Sequence, residues 1–268
     1  MDIALILGIL GAFGALAAML TLEGQHLTAV LLPAPMIMVL GATIAVSFAS
    51  GTVGDSVRAM RSIPAAFRGK TGKPAEAIEQ LVGIAEKARR DGLLSLETDA
   101  AEAEDPFLKL ALQNLADGVG EEELRTLLEE QVAAQERQGK AAAKWFKTAG
   151  GYAPTIGIIG TVVSLTHVLS NLSSPQHLGP LIASAFIATL WGLLSANFLW
   201  LPIGDRLDRL TDIESERMQL VLEAVLAIQA GAGPRLLSER LTAMVPAAHR
   251  PKPEKEPQPQ DDEFEDAA

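Results

Sequence analysis

Residues 148–170 read TAGGYAPTIGIIGTVVSLTHVLS. These 23 residues carry no Lys, Arg, Asp or Glu, and they exceed the ~20 that a helix needs to cross ~30 Å of hydrocarbon. Yet the stretch holds four glycines, one proline, and Ser or Thr at six positions. A segment that only anchors a protein in lipid has no need of them. Three further stretches, 3–22, 28–54 and 181–203, also lack charged residues over about the same length. The chain is 49% hydrophobic and still 21% charged, a pairing that fits apolar residues clumped into spans. The expectation is an all-α integral membrane protein with four transmembrane helices. The first run starts at residue 3 with no basic residue before it, so it reads as a retained span and not as a cleaved signal.

Charge sets the expected topology. Of the 22 Lys and Arg, 14 lie within 58–147 and 8 within 206–255; the connectors 23–27 and 171–180 have none. Basic segments stay on the cytoplasmic side of a membrane. Both long polar segments are therefore expected inside, both short connectors outside and both termini in the cytoplasm. The net charge of −11 is spread over segments of mixed sign with no basic stripe, which argues against nucleic-acid binding. Without cysteine the chain has no disulfide, thiolate metal site or cysteine nucleophile.

Five segments follow. Residues 1–54 form a transmembrane hairpin and 55–147 a helical cytoplasmic domain. Residues 148–203 hold spans three and four, 204–245 a cytoplasmic helical extension, and 246–268 a tail. In the cytoplasmic domain, Ile78, Leu81, Val82 and Ala85 recur with the period of one helix face. DPFLKLALQNLADG, 105–118, opens on Asp-Pro and stops at Gly118, a short helix with both of its punctuation marks. The helix opening on Glu121 to Glu123 is expected to run on into span three. Trp145, Phe146 and Lys147 are expected to anchor it at the membrane interface. Span four is likewise expected to continue into the cytoplasm, to stop at Gly231, and to be followed by a short helix from Pro234. The tail has five prolines, many charges and almost nothing apolar, so it reads as disordered.

No catalytic or metal-binding motif is present: there is no GxxxxGK[ST], HExxH or GxSxG, and an enzyme finds no support. His167 is the one histidine in the spans and reads as interfacial packing. Ala153, Gly157, Gly160, Thr161 and Ser164 share one face of span three. Ala185, Ala188, Thr189, Gly192, Ser195 and Ala196 share one face of span four. Small residues let two helix backbones approach closely. Two readings stay open: these faces only pack, or Thr161 and Thr189 also line a polar path. Threonine cannot titrate, so a cation crossing here needs a carboxylate from another chain. Pro154 removes a helical hydrogen bond one turn into span three, and Pro202 sits at the inner end of span four; each is a static kink or a moving joint. Arg89 and Glu97 flank the apolar centre of ARRDGLLSLE, 88–97, and on physical grounds alone read as a solvated face.

The residues from AGGYAPTIGIIGTVVSLTHVLS through SAFIATLWGLLSANFLWLPIGDRL resemble spans three and four of the motility protein A family, the stator subunits of the bacterial flagellar motor. ARRDGLLSLE, DPFLKLALQNLADG and LVLEAVLAIQAGAGPRLLSERL are similar to the same family, so the resemblance runs from residue 1 to about 245. It implies five copies of this chain around two copies of motility protein B, whose single span carries an ion-accepting Asp. It implies H⁺ or Na⁺ as the transported ion, no cofactor, a place in the bacterial inner membrane among lipid, and the rotor protein FliG as the surface pushed. By the same resemblance Arg89 and Glu97 match rotor-contacting charges, Pro154 and Pro202 match prolines linked to torque, and Thr161 and Thr189 match positions near the ion path. Thr161 stands where sodium-type members often have Thr and proton-type members Ala, which leans the reading toward Na⁺. Ser164 departs from the Gly common in the family. The alternative within the wider superfamily is a TolQ- or ExbB-like energiser of envelope transport or gliding. A third reading is a purely structural membrane scaffold.

Overall fold

The computed structural model describes residues 3–69, 73–172, 175–247 and 250. Among them there are helices and no strands. Helix α1 covers Ala4–Leu22 and α2 Pro33–Ala49. They are followed by α3 (Val53–Arg68), α4 (Pro74–Asp91), α5 (Leu96–Glu102) and α6 (Pro106–Ala116). Helix α7 is unbroken over Glu121–Ser170, α8 covers 175–229, and α9 is Pro234–Met244. The tail from 251 onward, expected to be disordered, lies outside the described residues. The chain forms two compact units, Met1–Thr71 with Leu127–Glu216 and Gly72–Thr126 with Arg217–Ala268. The boundary falls inside both long helices.

Among the described residues, three helices are long and apolar enough to cross a membrane: α1, α7 and α8. The expected second span is shorter than the charge-free run 28–54. A 3₁₀ turn takes Leu27–Val30, and helix α2 begins only at Pro33, whose missing N–H is harmless in a first turn. It stops at Ala49, because Thr52 and Asp55 form a capping box that starts α3 afresh. The Thr52 hydroxyl accepts from the Asp55 N–H at 3.1 Å, and the Asp55 carboxylate accepts from the Thr52 N–H at 3.3 Å. At ~1.5 Å per residue, α2 is ~25 Å long, a little less than the hydrocarbon core.

In the first unit, Trp145 and Phe146 do not act as the outward anchors expected of them. They are 5% and 0% exposed and sit in a cluster with Leu5, Ala59, Ala66 and Ile203. The Trp145 indole N–H donates to the Ser56 hydroxyl at 3.1 Å, which removes the cost of burying it. The small residues Ala59 and Ala66 on α3 leave the room that these rings fill.

In the second unit α4 buries Ile78, Leu81, Ile84, Ala85 and Ala88, and α6 buries Phe107, Leu108, Ala111, Leu112 and Leu115. Asp105 caps α6, accepting from the Phe107 and Leu108 N–H groups at 3.1 and 3.2 Å. The same carboxylate pairs with Arg217 at 2.5 Å. An arginine on the otherwise apolar side of α8 is thereby matched to a helix cap. Gly231 ends α8 at φ +75°, with its N–H bonded to the Ile228 carbonyl and that of Ala232 to the Ala227 carbonyl.

Candidate functional site

Helices α7 and α8 run antiparallel through the first unit, and their contact is built from absent side chains. A Cβ on Gly192 would lie 2.8 Å from the Ala153 carbonyl oxygen and 3.0 Å from the Gly157 Cα. A Cβ on Gly157 would meet the Ala188 carbonyl oxygen at 3.0 Å and the Thr189 Cα at 3.2 Å. Both sets of neighbours are backbone or Cα atoms, so no rotamer change makes room. Gly160 meets the Ala188 methyl in the same way, at 3.0 Å. Ala153, Ala185 and Ala188 are buried to within 1%.

One turn above this close approach the two threonines meet. Thr161 Oγ1 lies 2.5 Å from Thr189 Oγ1, 3.0 Å from the Ala185 carbonyl oxygen and 3.1 Å from the Gly157 carbonyl oxygen. A hydroxyl has one proton to give and two lone pairs to receive. With Thr189 donating to it, Thr161 donates to the carbonyls and keeps one lone pair. The pair first ties α7 to α8, and a cation reaching it finds a partly used oxygen amid backbone carbonyls. Ser164 is half-buried, and its hydroxyl has no hydrogen-bond partner among the described residues.

Pro154 lies within α7, which remains helical through it. Its ring leaves the Gly150 carbonyl without the usual fourth-residue donor. Pro202 lies two residues beyond the end of a turn of π-helix, Ser195–Trp200. That widened turn is where α8 takes up an extra residue, a feature often found at functional sites and one that hydropathy does not reveal. Its second sign is Trp200, whose indole N–H is buried without a partner among the described residues.

Below the apolar stretch the same helices are joined by charge. Lys147 bridges Asp205 at 3.2 Å and Asp208 at 2.6 Å; Lys140 bridges Asp208 at 3.0 Å and Asp212 at 2.5 Å. The hydrogen bonds to Asp212 and Asp208 hold the Lys140 ammonium above its ordinary range. That to Asp208 does the same for Lys147. Asp208, shared by both lysines, is held below the usual carboxylate range, chiefly by Lys147. Sequence reading missed this ladder. Its signal was present: lysines seven apart on one helix, and Asp205, Asp208 and Asp212 on one face of the next.

In the second unit Arg89 and Glu97 are both exposed, and neither has an ion-pair partner among the described residues. Their neighbours differ. Arg90 pairs with Asp91 at 3.0 Å and Lys87 with Asp99 at 2.7 Å. No group of three or more potential metal ligands occurs among the described residues.

Residues 99–220 match the MotA/TolQ/ExbB proton channel family. Motility protein A of Bacillus subtilis is 34% identical over 258 residues, covering 94% of each chain. The chain belongs to the motility protein A family. Chemotaxis protein PomA of Vibrio alginolyticus is 32% identical over 90% of this chain and 94% of its own. The solved MotAB structure of C. jejuni superposes with a TM-score of 0.87 at 30% identity, covering 92% of this chain and 97% of that one. Members of this family are stator subunits of the flagellar motor, membrane channels without enzymatic activity. The stator branch, and not the TolQ or ExbB branch, is thus where this sequence sits.

Proposed function

We propose that the α7–α8 seam forms one wall of a cation path in a stator complex. The facing wall belongs to a motility protein B partner whose single span supplies the carboxylate. The observation that carries this is the Thr161–Thr189 pair with its two carbonyls, set in stretches that hold no carboxylate or lysine of their own. A membrane path for cations needs an ionisable group, and these stretches offer no carboxylate of their own. In this reading residues 1–54 and 148–203 lie in the bacterial inner membrane. Residues 55–147 and 204–245, with both termini, lie in the cytoplasm. Five copies surround the partner, ion flow turns the ring, and Arg89 and Glu97 push on the rotor protein FliG. Pro154 and Pro202, each beside a turn short of a hydrogen bond, are the joints through which the seam's state reaches the cytoplasmic part. The transported ion is H⁺ or Na⁺, and the Thr161 hydroxyl favours Na⁺.

Swimming cells give the test. Pro154→Leu, or joint charge reversal of Arg89 and Glu97, is expected to abolish swimming in cells that still build flagella; normal swimming with both changes contradicts these roles. Swimming speed is expected to rise with external Na⁺. A speed indifferent to Na⁺ assigns H⁺ instead.

A further inference from the structure

Beside Arg89 the second unit opens a cavity of about 240 Å³, lined by Ala85, Ala88, Leu93 and Ile228, with Arg89 and Gln229 also on its wall. Two of its walls are glycines, Gly92 at φ +83° and Gly231 at φ +75°, and a Cβ on either would meet nothing within 4 Å. The cleft therefore stays open because two helix ends turn on residues without side chains. Its lining is mostly apolar. It is smaller than the ~300–1,000 Å³ of sites for free small molecules, a size suited to one side chain of a partner. At its rim Arg89 is a cation with no ion-pair partner among the described residues, although Lys87 and Arg90 beside it are both answered. Gln229 donates its amide N–H to the Val119 carbonyl at 2.6 Å, and its own oxygen is buried without a donor among the described residues. Leu94, 69% exposed, extends the apolar surface between Arg89 and Glu97.

We propose that this cleft is the socket for an apolar anchor side chain of the rotor protein, on a segment that also carries a carboxylate. The anchor fills the space over Ala85, Ala88 and Ile228. The carboxylate meets the Arg89 guanidinium. A hydroxyl or N–H of the same segment satisfies the Gln229 oxygen. Buried anchors of this kind carry most of the affinity of a contact, with charges at the rim setting which partner and which orientation are accepted. The inference rests on the reading of Arg89 and Glu97 as rotor contacts and adds to it the apolar part of the interface.

The test uses the full complex with its membrane partner and purified rotor protein. Ala232, half-buried on the cleft wall and outside any helix, is replaced by Ser, Leu and Trp. Binding of rotor protein is expected to weaken stepwise with side-chain size, by about tenfold or more for Ala232→Trp, while cation uptake by vesicles holding the complex stays within about twofold. Unchanged binding for Ala232→Trp, with binding lost for Arg89→Glu, overturns the socket and leaves the rotor contact standing. Unchanged binding for Arg89→Glu with Glu97→Lys removes the contact itself, and the socket with it. Should Ala232→Trp also lose cation uptake, the folded protein decides the matter: the chain has no cysteine, so Ala232→Cys can be alkylated after purification. A benzyl adduct that weakens binding where a methyl adduct does not supports the socket; equal binding overturns it.

Discussion

The same two helices are held together in two ways along their length. Within the charge-free stretch, α7 and α8 meet through Gly157 and Gly192, with one threonine pair above. Below it they meet through Lys140 and Lys147 against Asp205, Asp208 and Asp212. The upper contact is close, neutral and unforgiving, because what fills the space is backbone. The lower one is half-exposed and redundant, because each lysine has two acids and Asp208 has two lysines. Between the two zones stand Pro154 on one helix and the π turn with Pro202 on the other. A charge ladder is unaffordable in hydrocarbon, and a glycine contact has no driving force in water beyond ordinary packing. Each zone uses the chemistry that its solvent leaves available.

The comparison breaks first at Gly192. Gly192→Leu drives a side chain into the Ala153 carbonyl, and no intact complex is expected on a detergent sizing column, nor any swimming. Gly192→Ala, an overpacking of the kind that costs about 1–3 kcal/mol, is expected to give a destabilised complex with reduced swimming. Next is Lys147→Glu, which sets a third carboxylate against Asp205 and Asp208. It is expected to remove most swimming, with recovery in the double variant Lys147→Glu, Asp208→Lys.

Smaller is Asp208→Asn. Its carboxyl is held below the usual carboxylate range, so its stabilising share is complete above the ordinary aspartate pKa of ~4 and is lost as pH falls through the lowered value. At neutral pH the variant complex is expected to melt a few degrees lower than the parent. The gap should close as pH falls through that lowered value and stay constant between pH 6 and 8. Smallest is Gly150→Ala. The new methyl meets Leu201 side-chain carbons at 2.6 Å, but a leucine side chain can turn aside. Swimming and melting temperature are expected to stay close to the parent's, and a loss as deep as that of Gly192→Ala would erase the distinction between the zones.

Much of this was legible in the sequence. Charge-free runs marked the spans, a helical period placed Gly157, Thr161, Thr189 and Gly192 on facing sides, and Asp105 with Gly118 bounded α6. What was not legible depends on which partner a side chain meets. Trp145 and Phe146 have the composition of interfacial anchors, and only the Ala59 and Ala66 hollow turns them inward. Thr52 and Asp55 sit where a span ends in one reading and where a helix is capped in the other. The π turn at Ser195–Trp200 leaves no trace in hydropathy, since it changes hydrogen bonding and not composition. The Lys–Asp ladder was hidden by its ordinariness: charged residues on a helix are usually solvated, and pairing needs the second helix in register.

The central claim is that the threonine pair lines the path and that the carboxylate comes from another chain. Cation uptake into vesicles holding this chain with its single-span partner tests it most directly, comparing the parent pair with Thr161→Val and with the partner's intramembrane Asp replaced by Asn. The account predicts uptake for the parent, a fall of about tenfold or more for Thr161→Val, and none without the partner's carboxylate. Uptake at the parent rate in both variants would contradict it.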